Sequence, residues 1–261
     1  MLAPRTPRSA ATDAILLLHG QPGSARDWDR VRAAIGEPAR VIAFDRPGWD
    51  GRTAATDLAG NAGAAIAMLD AQQVDRAIVV GHSFGGAIAA WLAAAHPARV
   101  AALVLAAPSA NVASLNRVDR LLARPPFGAV LGAAVLAALG ATLRAKPMRE
   151  RIANQLALDG GYLEGAGQTL LSTAAWRAFS TEQRALIRGL PALEARLPQI
   201  SAPTTIAIGT ADRIVPPLSA RLLAAQIGGA DVVEIRGANH LLPQQHAERL
   251  ARIILAAARA R

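Results

Sequence analysis

Short apolar runs alternating with alanine-rich helical stretches restrict this chain to few architectures. The runs Ala14–Leu18, Arg40–Phe44, Ala77–Val80, Ala101–Ala106, Thr204–Ile208 and Asp231–Ile235 are mostly apolar on both faces, as strands covered by helices on each side must be. Helical patterns at Ala25–Ala34, Ala62–Ala71 and Gly86–Ala95 separate the first four. This alternation implies right-handed crossovers and predicts an α/β fold, a doubly wound and mostly parallel sheet.

The rhythm breaks after the fourth run. From Ser109 to Ala202 no strand pattern occurs, although a parallel crossover needs only about a dozen residues. Helical patterns fill the interval at Arg117–Leu122, Phe127–Leu143, Met148–Leu158, Gly165–Ala178 and Thr181–Leu190, punctuated by Pro125-Pro126, Pro147, Gly160-Gly161 and Pro191. The expectation is a core of residues 1–110 and 200–261, with residues 111–199 as a helical cap inserted before the last two strands. Such a cap would overlie the C-terminal sheet edge, where open α/β sheets bind ligands.

Composition narrows the function classes. The 261 residues are 52% hydrophobic, enough for a substantial core. Cysteine is absent, which removes disulfides, thiolate metal sites and cysteine nucleophiles, and fits a cytoplasmic location. The net charge of +9 comes almost wholly from scattered arginines, Lys146 being the sole lysine, and aromatics are only 3%. A nucleic-acid footprint would be clustered and interleaved with aromatics, so no nucleic-acid partner is expected. No apolar segment of signal-peptide type follows Met1–Thr12. Phe127–Leu143 is uncharged but short of the usual spanning length and diluted by Ala and Gly. It reads as a buried or lid helix, with lipid contact as the lesser reading and no stable membrane insertion expected.

The chemistry concentrates at Gly81-His82-Ser83-Phe84-Gly85-Gly86, between the run Ala77–Val80 and a helix. A Gly-x-Ser-x-Gly on a strand-to-helix turn lifts the serine hydroxyl clear of the sheet and aims a helix N-terminus at the same point. Glycine-rich turns containing a serine are common, so the context must carry the assignment. A serine needs an adjacent base, and the base needs an orienting acid. Asp212 follows the run Thr204–Ile208, and His240 follows Asp231–Ile235. Both leave the same sheet edge as Ser83, in the order Ser, Asp, His. Of the other histidines, His82 suits packing or hydrogen bonding, His96 a helix end, and His246 a surface position in the C-terminal helical stretch.

With these motifs the sequence resembles the α/β-hydrolase superfamily from Ala14 to the C-terminal helix. His19-Gly20-Gln21-Pro22-Gly23 resembles its His-Gly loop, and Asp45-Arg46-Pro47-Gly48-Trp49 the turn after the next strand. The resemblance implies Ser83, Asp212 and His240 as catalytic triad, an oxyanion hole from the backbone N–H groups of Gln21 and Phe84, and no cofactor or metal. It makes His19 a loop-bracing residue. The alternative acid position of the superfamily falls in Ala107–Asn111, which holds no carboxylate. Asp45 is expected to brace its turn. Asp50 reads as an insertion that alters the local loop.

Two further expectations follow. Family members carry an antiparallel strand pair before the His-Gly strand, and only Met1–Asp13 precedes it here. A shortened or absent hairpin would leave Arg40–Phe44 at or near an edge, where strand pairing offers a route to a homodimer. The implied activity is hydrolysis of a small or medium hydrophobic carboxylic ester, thioester or lactone. Carbon–carbon bond hydrolases and cofactor-free perhydrolases share the triad and remain open. Epoxide hydrolases and haloalkane dehalogenases use an aspartate where Ser83 stands. A non-catalytic ligand receptor on the same fold is the reading from another class.

Overall fold

The computed structural model describes residues 14–259. The six runs form one sheet, β1 (Ala14–Leu18), β2 (Val41–Ala43), β3 (Ala77–His82), β4 (Val100–Ala106), β5 (Thr204–Gly209) and β6 (Asp231–Ile235). Its order is β2-β1-β3-β4-β5-β6, and every neighbouring pair is parallel. All residues of β1, β3 and β4 are buried, so both faces of the central sheet are covered.

Helices α1 (Asp29–Ile35), α2 (Leu58–Ala71) and α3 (Phe84–Ala95) fill the first crossovers. A 3₁₀ turn, Ala25–Trp28, leads into α1 and occupies the first part of the expected helix Ala25–Ala34. Asp57 caps α2, its carboxylate accepting from the Gly60 amide at 2.8 Å. That cap starts the helix four residues before the expected Ala62. Among the described residues β2 is an edge strand of three residues, shorter than the expected Arg40–Phe44. The expected hairpin region, Met1–Asp13, lies outside the described residues.

Five helices separate β4 from β5: α4 (Arg117–Leu122), α5 (Phe127–Arg144), α6 (Lys146–Leu156), α7 (Gly160–Leu170) and α8 (Thr173–Glu194). The last two differ from expectation. The break falls at Leu171-Ser172, where the Ser172 hydroxyl accepts from the Ala175 amide at 3.1 Å. The expected helix Gly165–Ala178 therefore does not exist as one piece. Residues 173–194 run through as one helix, with Pro191 inside its last turn rather than ending it. Pro147 likewise sits in the first turn of α6, where a missing N–H costs nothing. Leu136, Leu143, Leu163 and Leu170 form a small core among the inserted helices. Leu186, Leu190 and Leu193 of α8 join the main core instead, so α8 ties the insertion to the sheet.

After β5 come α9 (Pro217–Gln226), then β6, a short α10 (Leu242–Gln245) and α11 (Ala247–Arg259). His246 is half-buried in the break between α10 and α11 rather than on a surface helix.

Candidate active site

Ser83 occupies the turn between β3 and α3 with φ 53° and ψ −119°, a backbone state costly for a residue with a Cβ. Hydrogen bonds hold it there. Its amide donates to the Ala106 carbonyl, and its own carbonyl accepts from the Gly86 and Ser109 amides, at 2.9–3.0 Å. A Cβ on Gly81 would lie 2.1 Å from the Gly85 carbonyl oxygen, and one on Gly85 would lie 2.2 Å from that of Leu18. Only glycine fits at either position, which is the physical content of the motif.

Asp212 leaves the end of β5 and His240 the end of β6. One carboxylate oxygen of Asp212 accepts from the Ile214 and Val215 amides at 2.8 and 2.9 Å. The other lies 2.8 Å from His240 Nδ1. The carboxylate is wholly buried, and the imidazole is nearly so. With Nδ1 donating to Asp212, a neutral His240 ring presents the Nε2 lone pair. Ser83 and His240 form no hydrogen bond with each other. Such contacts commonly tighten only in substrate complexes.

His82 joins the two loops. Its Nε2 donates to the His240 carbonyl at 2.9 Å, and the two rings stand 4.9 Å apart. Burial first, then the neighbouring His240, pushes the His82 pKa down to about 3, so this ring is neutral. His82 fixes the backbone of the residue that orients toward Asp212, a hydrogen-bonding role within what its sequence position suggests.

The His-Gly loop passes beside the serine: a Cβ on Gly20 would be 3.1 Å from that of Ser83. The amides of Gln21 and Phe84 donate to no protein carbonyl among the described residues. For Phe84 this follows from its place at the start of α3, where helical N–H groups lack partners.

A buried polar cluster beneath the loop escaped sequence reasoning. Arg46 uses all five guanidinium N–H groups. Nε donates to the His19 carbonyl at 3.0 Å, and one terminal nitrogen to the Gly20 carbonyl at 2.9 Å and the Glu182 carboxylate at 3.3 Å. The other donates to Asn61 at 3.1 Å and again to Glu182. Trp49 Nε1 adds a third donor to Glu182 at 3.0 Å. Burial pushes the Glu182 carboxyl pKa up, against the pull of Arg46. His19 accepts from the Arg46 amide through Nε2 at 3.1 Å, and its other ring nitrogen faces the Gly20 carbonyl. Burial and Arg46 keep it neutral, its pKa well below the ordinary value. It braces the loop as expected. Gln183, beside Glu182 on α8, accepts from the Gln21 side chain at 2.7 Å. Asp45 accepts from the Ala25 amide at 2.7 Å, and Asp50 closes its own turn on the Arg52 and Thr53 amides.

A cavity of about 590 Å³ lies between these loops and α5–α7. Pro22 and Gly23 line it on one side and Leu241, next to His240, on another; eight of its twenty lining residues are leucine or isoleucine, Arg26, Asp27 and Asp45 also line it, and Ser83 and His240 do not. Its polar edge is a chain in which the Tyr162 hydroxyl donates to Asp27 at 3.0 Å and Gln244 donates to that hydroxyl at 3.3 Å. Burial raises the Asp27 pKa to about 7, more than Tyr162 and the Ser24 amide lower it.

Comparisons with known proteins identify the family and the fold. Residues 15–253 match the Alpha/beta hydrolase family. A protein named as a carbamate hydrolase, RutD of Variovorax paradoxus (strain S110), is 31% identical over 232 residues, covering 81% of this chain and 79% of the relative. A pimeloyl-[acyl-carrier protein] methyl ester esterase of Neisseria meningitidis (serogroup A, strain Z2491) is 27% identical over 250 residues, covering 92% and 75%. The crystal structure of a bacterial membrane phospholipase A superposes with a TM-score of 0.75 over 97% of this chain and 81% of that one, at 24% identity, a likeness of fold. The chain belongs to the alpha/beta hydrolase family and is an esterase-like hydrolase.

Proposed function

We propose that the chain hydrolyses a small or medium hydrophobic carboxylic ester, thioester or lactone through an acyl-enzyme on Ser83. The observation that carries the reading is the buried Asp212–His240 pair, with Nδ1 committed to the carboxylate, at the sheet edge from which Ser83 projects. His240 removes the Ser83 proton as the oxygen attacks the carbonyl carbon. Asp212 holds the tautomer and stabilises the imidazolium. The Gln21 and Phe84 amides receive the oxyanion, His240 returns the proton to the leaving group, and water repeats the sequence to release the acid.

The leucine-rich wall that α5–α7 contribute to the cavity supports a hydrophobic acyl or alcohol group, with Arg26, Asp27 and Asp45 confined to the loop side. The carbamate hydrolase and methyl ester esterase relatives support acyl transfer to water. A cytoplasmic location belongs to the same reading and is in keeping with a cysteine-free chain.

The test is fluorophosphonate labelling together with turnover of an aryl ester, a ring-cleavage dione, and acetate with peroxide. Labelling and ester turnover that both vanish in Ser83→Ala are expected. Labelling that persists in Ser83→Ala overturns the nucleophile, and faster turnover of the dione or of peroxide with acetate overturns the substrate class.

A further inference from the structure

Helix α5 is apolar on the side it buries and on the side it shows to water. Gly128, Gly132, Leu136, Gly140 and Leu143 form its buried side, and the glycines permit close approach: a Cβ on Gly140 would lie 2.9 Å from the Gly167 carbonyl oxygen of α7. On the opposite side Phe127 and Val130 are 72% and 70% exposed, and Val135, 53% exposed, lies on the flank beside Gly132 and Leu139. Exposed Ala134, Ala138 and Ala141 share the side of Phe127 and Val130, and no charge occurs in the helix before Arg144. A surface helix ordinarily carries its charged residues there. Over 18 residues the face is about 27 Å long. Helix α4, packed against α5, adds exposed Val118 and Leu121.

The charges flanking α5 in sequence are mostly cations, although Asp119 lies on α4 and Lys146 pairs with the exposed Glu150 at 3.9 Å. Between Asp119 and Glu150 there is no acidic residue, while Arg120, Arg124, Arg144, Lys146 and Arg149 all fall in that interval. Arg120 and Arg124 precede the helix, Arg144 and Lys146 close it, and all four are exposed. An apolar face with cations at both ends is the pattern of a helix lying in the headgroup region of an acidic bilayer. A second copy of the chain fits less well, since a two-fold contact through this face would bring the same four cations together. Spanning is also disfavoured, because the other side of α5 is packed on protein.

We propose that the α4–α5 face is a docking surface for an anionic phospholipid membrane, on which the protein adsorbs reversibly with α5 parallel to the bilayer. Leu139 of the same helix lines the cavity described above, so adsorption brings that cavity close to the acyl chains. The surface stands whether or not Ser83 is the nucleophile.

The experiment is flotation of the full-length protein with phosphatidylcholine vesicles, with and without phosphatidylserine, at low and high salt, for wild type, Val130→Asp and the double variant Arg124→Glu/Arg144→Glu. Wild type is expected to float with phosphatidylserine vesicles at low salt and to detach as salt rises. Each variant is expected to lose about tenfold or more in partitioning, while thermal stability and turnover of a water-soluble ester in Val130→Asp stay at wild-type values. No flotation by wild type, or equal flotation by wild type and both variants, overturns the proposal. A concentration-dependent dimer that Val130→Asp abolishes would put a second copy on the face instead. Wild type that ignores vesicles but binds polyglutamate would put an acidic protein there.

Discussion

Arg46 and Glu182 lie 136 residues apart in sequence and meet as a fully buried ion pair beneath the His-Gly loop. Arg46 belongs to the turn after β2 and Glu182 to α8 of the insertion. Because the same guanidinium holds the carbonyls of His19 and Gly20, the seating of the inserted helix and the shape of the loop beside Ser83 rest on one network. Desolvating both ions is expensive, so the pair is better regarded as a geometric constraint than as a source of net stability.

Removal of one partner is costly for that reason. Glu182→Ala leaves the Arg46 charge buried and uncompensated, and a loss of about 3–5 kcal/mol in unfolding free energy is expected. Glu182→Gln keeps the shape and loses the charge, so it should cost less. Urea denaturation of both variants measures the difference, and an Ala variant as stable as wild type would contradict the burial of the pair.

The Asp212–His240 contact makes its own demand on kinetics. Asp212→Asn preserves the shape, but its amide nitrogen, placed toward Nδ1, favours the wrong tautomer. A fall in kcat of about 10⁴-fold is expected, with KM changed far less. Steady-state kinetics on an aryl ester checks this. A loss below about tenfold would remove Asp212 from the mechanism.

The difference between these two pairs marks what the sequence made legible. Ser83, Asp212 and His240 each follow a strand, and the tight turn at Gly81 and Gly85 has a local signature, so their positions could be read one residue at a time. Nothing local distinguishes Glu182 from an exposed glutamate on an amphipathic helix, and its burial depends on where α8 docks. Helix α8 was itself hard to delimit, because Pro191 reads as a stop although it lies in the last turn and residues up to Glu194 remain helical. Conversely, the Ser172 cap that separates α7 from α8 is a single hydroxyl inside a continuous helical pattern.

His82 offers a test of positioning rather than chemistry. Its Nε2–H holds the His240 carbonyl, and the loss of one such hydrogen bond is worth about 1 kcal/mol. His82→Leu should lower kcat several-fold to about tenfold with KM nearly constant, and His82→Gln, which keeps a donor, should recover part of it. Since burial holds the His82 pKa near 3, neither change should alter the shape of the pH–rate profile between pH 5 and 8. A changed profile in His82→Gln would mean that the His82 ring titrates in that range.

Asp27 predicts a pH dependence of stability with a definite sign. Its carboxyl moves from 3.8 to about 7 on folding, chiefly through burial, so between those values the native state holds a proton that the unfolded state has released. The stability contributed is complete below the unfolded value, falls as pH rises through about 7, and is gone above it. Asp27→Asn cannot ionise and removes this slope. Relative to wild type, the variant should therefore gain up to a few kcal/mol between pH 4 and pH 8, whatever constant offset the substitution introduces through the Tyr162 contact. Urea denaturation at a series of pH values gives the difference directly, since contributions from the other titrating groups cancel. Parallel stability curves for variant and wild type would show that Asp27 is ionised in the native protein throughout this range, and that the polar edge of the cavity carries a charge at neutral pH.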